Sequence, residues 1–162
     1  MHLGQFTEPK LLIPRLLSRR PDGAIRELAL RLEAAARIRS ASLFLEALLK
    51  RESEAPTFVA QSVAVPHLRG GAVNRLSFAV GLSSSGIPWG RNGRPVATVV
   101  FLIAVPLTEA ATYLSMLSGL SSLIQDEFAF KSLRRATQPE QMQDALNGVR
   151  LPRITKETDA PV

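Results

Sequence analysis

The chain has no cysteine and only two histidines, one tryptophan and one tyrosine among its 162 residues. Without cysteine there are no disulfides and no thiolate ligands, and two histidines without clustered acids are not typical of a transition-metal site. No P-loop or dinucleotide-binding glycine motif is present. The serine-rich stretch at 83–86 lacks the glycine that a nucleophile elbow requires. We therefore expect neither a metal nor a cofactor.

Long apolar runs are scarce as well. None reaches about 18 residues, the minimum for a membrane-spanning helix, and the longest, residues 96–105, has the length of a buried strand. The first residues lack the basic, apolar and cleavage regions of a signal peptide. We predict a single domain over 1–150, a flexible C-terminal tail over 151–162, no membrane span and a cytoplasmic location.

Acidic side chains are outnumbered by basic ones. Asp and Glu total 14 and Lys and Arg total 20, which gives a formal net charge of +6. Sixteen of the basic residues are arginines, spread from Arg15 to Arg153 without a dense stripe interleaved with aromatic residues. This distribution is typical of a solvated basic surface that suits acidic protein partners, and we expect no nucleic-acid partner.

Two amphipathic helices are predicted in the first third of the chain. The first spans 22–38, where apolar residues recur at helical spacing and Asp22 is the predicted N-cap. The second begins after Ser40, a second capping residue, and Pro56 breaks the chain beyond it.

Two more helices are predicted toward the C-terminus. The third lies within 107–127 with Thr108 as its N-cap, and the fourth begins near Thr137 and stops at Gly148. The third carries an apolar stripe on one face and, on another, small residues that let a neighbouring element approach closely. The stripe consists of Leu114, Leu117, Leu120 and Ile124, and the small face of Ala111, Ser115, Ser118 and Ser122.

Strands are predicted between the two helical regions. Residues 62–66, 76–82 and 96–105 are rich in Val, Leu, Ile and Phe and are bounded by glycine or proline. The third strand is apolar on both faces, so we place it centrally with helices on either side. The segment 83–95 is predicted to be a loop with Trp89 as a packing anchor. Helices, then strands, then helices indicate a mixed sheet between helical layers.

His67 is nearly the only side chain suited to covalent or acid-base chemistry near neutral pH. Its imidazole is mostly neutral there and carries a lone pair that can attack phosphorus. Residue type alone does not separate such a role from that of an ordinary loop histidine.

The stretch KRESEAPTFVAQSVAVPHLR, residues 50–69, resembles the phosphohistidine signature of the bacterial phosphotransferase system IIA domains, in the fructose, mannitol and nitrogen-regulatory class. The resemblance extends from about residue 10 to residue 147. Its most specific part keeps the family's order and spacing at Arg51, Glu52, Pro56, Thr57, Val63, Ala64, Val65, Pro66 and His67.

The resemblance implies the mannitol-type IIA fold, a single mixed sheet of about five strands flanked by helices on both faces. It also implies that His67 accepts a phosphoryl group from the phosphocarrier protein HPr or its nitrogen-regulatory counterpart. Arg51 matches the family arginine that stabilises the phosphate, and Thr57 and Pro66 are supporting residues. Arg69 adds positive potential nearby.

Three positions depart from the family pattern. Leu68 and Ala60 stand where glycines are common, and both narrow the freedom of the backbone. Tyr113 stands at the position of a second family histidine. Tyrosine can hydrogen-bond a phosphate or an imidazole, but a pKa near 10 makes it a poor proton shuttle.

Three functions remain open at this point. The leading interpretation is a phosphocarrier with a phosphohistidine intermediate, of the stand-alone nitrogen-regulatory kind, that acts on regulatory protein targets. The first alternative is a sugar-specific fructose or mannitol IIA component that passes the phosphoryl group to a IIB partner. The second is a degenerate IIA-like binding module without phosphotransfer, which Ala60, Leu68 and Tyr113 make credible.

Overall fold

The structure, a computed structural model, describes residues 1–59, 62–90 and 92–153. Two short 3-10 turns, Leu3–Phe6 and Pro9–Leu11, precede the first strand. The helices are α1 (Pro21–Ala34), α2 (Ala41–Glu54), α3 (Ala110–Gln125), α4 (Glu127–Arg134) and α5 (Pro139–Asn147). The strands are β1 (Leu12–Ile13), β2 (Phe58–Val59), β3 (Val63–Ala64), β4 (His67–Arg69), β5 (Ser77–Pro88) and β6 (Val96–Val105).

The most apolar segment of the sequence, β6, is the centre of one mixed sheet. β5 pairs with it in antiparallel orientation on one side, and β3 and β4 pair with it in parallel orientation on the other. β1 lies parallel to β5 at one edge, and β2 lies antiparallel to β3 at the other. Because β3 and β4 follow each other along the same side of β6, six strands occupy five positions. This architecture confirms the predicted mixed sheet.

Helices cover both faces of this sheet. Val99, Phe101 and Ile103 of β6 pack toward α3, α4 and α5, whereas Val100, Leu102 and Ala104 pack toward α1 and α2. All of these β6 side chains are at most 1% exposed. Burial on both sides explains why the strand lacks the alternation of a half-exposed strand.

The predicted loop over 83–95 is wrong in its first half, because β5 continues to Pro88. A register shift between Leu82 and Ile87 interrupts the pairing with β6, and Gly86 adopts a left-handed φ of 79° there. A strand that continues across such a bulge has a sequence similar to that of a turn, because both contain glycine and small polar residues.

The helix boundaries differ from the predicted ones in identifiable ways. α1 begins at Pro21 after Arg20, so Asp22 lies in the first turn and is not the N-cap. α1 ends at Ala34, short of residue 38. Ser40 caps α2 as predicted, because its side chain accepts a hydrogen bond from the Leu43 amide. α4 has no predicted counterpart.

Two predictions about the later helices are corrected. The N-cap of α3 is Glu109, with a left-handed φ of 68°, and not Thr108. The buried face of α3 combines members of both predicted faces, whereas Leu114 of the apolar stripe is 54% exposed. Its buried residues are Ser115, Met116, Gly119, Leu120 and Leu123. Small side chains are buried here because they allow α3 to pack closely on its neighbours.

The two ends of the described chain are joined to each other. The Leu3 amide donates to the Val149 carbonyl at 2.8 Å, and the Leu151 amide donates to the Met1 carbonyl at 3.0 Å. The Leu151 side chain, 8% exposed, lies against Gly119 of α3. Most of the predicted tail, residues 154–162, lies outside the described residues.

Gly81 of β5 lies beneath the chain that follows β1. A Cβ atom added at this glycine would be 2.5 Å from Leu16 Cδ2 and 2.6 Å from its Cγ. We expect Gly81→Ala to push the buried Leu16 side chain aside and to lower the free energy of unfolding by about 1–3 kcal/mol. Urea denaturation measures this loss. Gly71→Ala is the matched control, because its Cβ would meet only Leu107 Cδ1 at 3.6 Å, and an equal loss there would contradict the prediction.

Candidate active site

His67 is held on the sheet rather than on a free loop. It is the first residue of β4 and pairs with Ile103 of the central strand. The carbonyl of the buried Pro66 accepts a hydrogen bond from the Ile103 amide at 3.0 Å. The backbone on both sides of the imidazole is therefore fixed to the most buried strand of the molecule.

The two nitrogens of the His67 ring have different environments. Nδ1 lies 2.9 Å from the Val65 carbonyl oxygen. A carbonyl can only accept, so Nδ1 carries the proton and donates it there. In the neutral ring Nε2 is then left with the lone pair, and it lies 3.4 Å from Nη2 of Arg51. The sheet and its adjoining carbonyl thus direct one nucleophilic nitrogen toward one guanidinium group.

Arg51 and Glu52 occupy the last turn of α2 and point in different directions, since successive helical residues are about 100° apart. The Arg51 side chain is exposed and reaches Nε2 of His67. Glu52 is only 8% exposed. The adjacent pair therefore divides into a cation at the candidate site and a carboxylate in the interior.

The Glu52 carboxylate binds the segment that leads from α2 to the histidine strand. It accepts hydrogen bonds from the Thr57 amide at 3.1 Å, from the Thr57 hydroxyl and from Nε1 of Trp89 at 3.3 Å. The Thr57 carbonyl in turn accepts from the Val65 amide at 2.9 Å. Through these contacts, Glu52 positions the loop beside His67 and anchors the buried Trp89.

Glu52 is the main residue for which the sequence gives no role. In the sequence, its position next to Arg51 is the signal for a role near the histidine. The burial of Glu52 and its three hydrogen-bond donors depend on tertiary contacts, which the sequence does not show. Thr57 lies near the histidine, as the resemblance implies, and its hydroxyl proton is directed to Glu52.

A mostly apolar cavity of about 420 Å³ opens beside His67. One wall consists of the imidazole with Thr57, Val59 and Val65, and the other is a face of α3. The α3 residues are Tyr113, Leu117, Leu120, Ser121, Ile124 and Gln125.

Tyr113 lies where α3 approaches the histidine. Burial raises the pKa of its hydroxyl above the ordinary value of 10.0, and the charge of nearby Arg51 partly offsets this effect. The phenol is therefore protonated at neutral pH and can donate a hydrogen bond. Tyr113 also packs at the edge of the core, so its position is compatible both with hydrogen bonding and with a packing role.

Three further positions near His67 in the sequence are Leu68 and Ala60, which depart from the family pattern, and Arg69. Leu68 is half-buried and packs against the core on the α1 and α2 side of the sheet. Ala60 lies outside the described residues. Arg69 donates to the Leu107 carbonyl at 2.6 Å and so ties β4 to the chain after β6.

Within residues 1–59, 62–90 and 92–153, no three His, Cys, Asp or Glu side chains come together in a way that would hold a metal ion. None of the helices in the same ranges combines the length and apolar character needed to cross a membrane.

Replacement of Glu52 tests whether it anchors the loop. Glu52→Ala leaves two donors of Thr57 and the indole of Trp89 without their acceptor, so we expect the free energy of unfolding to fall by about 2–4 kcal/mol. Chemical denaturation followed by tryptophan fluorescence measures the loss. Glu54→Ala, an exposed acid on the same helix, should change stability by less than about 0.5 kcal/mol. Equal effects of the two variants would show that Glu52 has no special anchoring role.

The family model described as "Phosphoenolpyruvate-dependent sugar phosphotransferase system, EIIA 2" matches residues 7–149. The chain is 35% identical over 128 residues to the 2-O-alpha-mannosyl-D-glycerate-specific EIIABC component of Escherichia coli, covering 78% of this chain and 20% of that protein. It is 32% identical over 125 residues to the fructose-specific EIIA component of Haloferax volcanii, covering 77% and 81% of the two chains. The chain thus spans about a fifth of the first relative and most of the second.

Two solved structures share the fold. The nitrogen regulatory protein IIA-Ntr from Neisseria meningitidis superposes with a TM-score of 0.77 at 22% identity, covering 89% of this chain and 98% of that one. Mannitol enzyme IIA from Escherichia coli, solved in complex with phosphorylated mannitol enzyme IIB, gives a TM-score of 0.73 at 20% identity and coverages of 88% and 97%. These likenesses confirm the predicted mannitol-type architecture.

Proposed function

The chain belongs to the EIIA 2 family of the phosphoenolpyruvate-dependent sugar phosphotransferase system, and from this premise we propose that it accepts a phosphoryl group on Nε2 of His67. The observation that carries the proposal is the polarised imidazole. Its Nδ1 donates to the Val65 carbonyl, and its Nε2 faces Arg51. A neutral histidine held in this tautomer is already a nucleophile and needs no separate base.

In the proposed step, the donor is the phosphohistidine of HPr or its nitrogen-regulatory counterpart. The lone pair of His67 Nε2 forms a bond to phosphorus while the bond between phosphorus and the donor nitrogen breaks. The electron pair of that bond returns to the donor imidazole. The proton on Nδ1 of His67 stays in its hydrogen bond to the Val65 carbonyl. Water takes no part in the transfer. Such a transfer depends mainly on alignment and charge neutralisation.

Arg51 supplies the charge neutralisation. Its planar guanidinium matches the oxygens of a phosphoryl group, and its distance of 3.4 Å from Nε2 places it where those oxygens would arrive. Tyr113, protonated and on the opposite wall of the cavity, is proposed as a second donor to the phosphoryl oxygens. Pro66 and Thr57 act through position, because they fix the backbone and the loop on either side of the imidazole.

The apolar cavity beside His67 is proposed as part of the surface that receives the partner protein. An apolar face of a partner would close it and exclude water from the transferring group, which protects a phosphohistidine from hydrolysis. Val59, in the wall of this cavity, is 38% exposed and so is available to such a partner.

The recipient of the phosphoryl group distinguishes two candidate functions. Sugar-specific transfer to a IIB component is favoured by relatives that are 32–35% identical to this chain and are named for sugars. Regulation by the phosphorylation state of His67 is favoured by Tyr113, which replaces the second family histidine, and by the fold likeness to IIA-Ntr. The identities give sugar-specific transfer the broader support.

Phosphorylation with purified components tests the proposal. The chain is incubated with phosphoenolpyruvate, enzyme I and HPr, and intact mass is measured over time. One added phosphoryl group supports a carrier, and no addition with cognate proteins supports the degenerate binding module. The phosphorylated chain is then mixed with candidate IIB components. Loss of its phosphoryl group to a IIB protein identifies a sugar-specific component, whereas retention of the phosphoryl group supports the regulatory role.

A further inference from the structure

A second opening, of about 790 Å³, lies between the β1 edge of the sheet and the turn that joins α4 to α5. Ser83 of β5 and Thr98 of β6 form its floor, and Arg15, Arg134, Arg135 and Thr137 stand around it. We call this opening the arginine cleft. Its volume lies within the range of small-molecule sites, and its polar lining differs from that of the apolar cavity beside His67.

The arginine cleft is strongly positive. Three arginines line it, and no acidic residue does. Among the described residues, none of the three has a carboxylate within 4.0 Å. Their charges therefore add within one concave surface, where a low-dielectric wall strengthens the attraction for an anion.

Arg15 is fixed to the sheet by its neighbours. It follows β1, whose last residue, Ile13, pairs with Gly81. The Leu16 amide donates to the Leu82 carbonyl at 2.9 Å, and the buried Leu16 side chain lies directly over Gly81. The backbone of Arg15 is thus held on both sides, which lowers the entropy lost when its side chain binds a ligand.

Arg134 and Arg135 are fixed on the opposite wall. The Arg135 amide donates to the Lys131 carbonyl at 3.0 Å, and the Ala136 amide donates to the Leu133 carbonyl at 3.2 Å. The Arg134 guanidinium also lies 5.5 Å from the centroid of the Phe130 ring, a cation–π contact that restricts it. Arg134 and Arg135 therefore line the cleft from the end of α4, a segment separate from that of Arg15.

Serine hydroxyls also line the arginine cleft. Ser83, which is only 7% exposed, and its neighbour Ser84 both lie in its lining. A serine hydroxyl can donate a hydrogen bond to an acceptor oxygen of a bound molecule.

We propose that the arginine cleft binds a small molecule that carries two or more phosphate groups. Each phosphate offers several acceptor oxygens and up to two negative charges, which match planar guanidiniums and hydroxyl donors. The cleft borders Thr98 near the start of β6, whereas His67 pairs with Ile103 toward the other end. Five residues of strand correspond to about 17 Å, so this site is separate from the candidate active site.

Calorimetric titration of the full chain tests the proposal, with inorganic pyrophosphate and ADP as probes at about 0.15 M salt, where long-range attraction is screened. We expect saturable binding of both probes, and we expect Arg134→Gln/Arg135→Gln to weaken it about 100-fold. Arg15→Gln, on a separate segment, should weaken it about tenfold. Equal affinity for the two probes means that the phosphates suffice, and tighter binding of ADP means that the nucleoside also makes contacts.

The matched control is Arg26→Gln/Arg75→Gln, which removes the same charge from exposed positions outside the cleft. Its affinity should equal that of the unaltered chain, and thermal unfolding without ligand verifies that every variant is folded. A loss as large as that of the cleft variants would reduce the effect to net charge and overturn the proposal. Absence of saturable binding of both probes would also overturn it. His67→Ala should bind normally, and lost binding there would assign the probes to the histidine site instead.

Discussion

The His67→Ala variant is expected to gain no phosphoryl group under conditions in which the unaltered chain gains one. The reason is that Nε2 of His67 combines a free lone pair with a neighbouring guanidinium, and no other described side chain has this arrangement. Incubation with phosphoenolpyruvate, enzyme I and HPr, followed by intact mass, measures the result. The effect is complete because the variant lacks the atom to which phosphorus would bond.

The second histidine of the chain provides the matched control. His2 lies at the N-terminus, where its backbone forms an isolated antiparallel β-bridge with Arg150. His2→Ala removes an imidazole without touching the candidate site and should be phosphorylated at the normal rate. If His67→Ala still gains a phosphoryl group, or if His2→Ala loses it, His67 is not the acceptor.

Removal of the Arg51 guanidinium is expected to slow phosphoryl transfer to His67 by about 100-fold, the effect of deleting one preorganised donor to developing charge. Stability should change by less than about 0.5 kcal/mol, because the Arg51 side chain is exposed. Rapid-quench measurement of phosphorylation gives the rate, and thermal denaturation gives the stability. Arg51→Lys keeps the charge but loses the planar guanidinium. Its transfer rate should therefore lie between that of the unaltered chain and that of Arg51→Ala.

Lys50 allows the role of charge to be separated from the role of position. It is an exposed cation one residue earlier on the same helix, and Lys50→Ala changes the net charge as much as Arg51→Ala does. The lysine variant should keep the normal transfer rate. Equal slowing in both variants would mean that a general positive field, and not a phosphate contact by Arg51, assists the reaction. A loss of stability without slowing in Arg51→Ala would contradict the contact as well.

The sequence predicts the centre of the fold well because the strongest local signal and the tertiary environment agree there. Residues 96–105 are apolar on both faces, and the structure buries both faces. The segment around His67 is equally well placed, since Arg51 and His67 meet in space as the resemblance implies. The local sequence pattern is sufficient to predict the structure where one element, such as β6, determines how its neighbours pack.

Other features depend on contacts between distant segments. The burial of Glu52 follows from Thr57 and from Trp89, which is 37 residues away. The buried face of α3 includes Ser115 and Gly119, because close packing there outweighs side-chain hydrophobicity. The arginine cleft joins residues near positions 15, 83 and 135, whose proximity has no signal in the sequence.

The hydrogen bonds between the two ends of the described chain have a kinetic meaning. The bond from the Leu151 amide to the Met1 carbonyl closes a ring that contains all the described helices and strands. The entropy of closing so long a loop is offset only when the elements within it are already in place. We therefore expect this ring to close late in folding, after its helices and strands have formed, rather than to nucleate them.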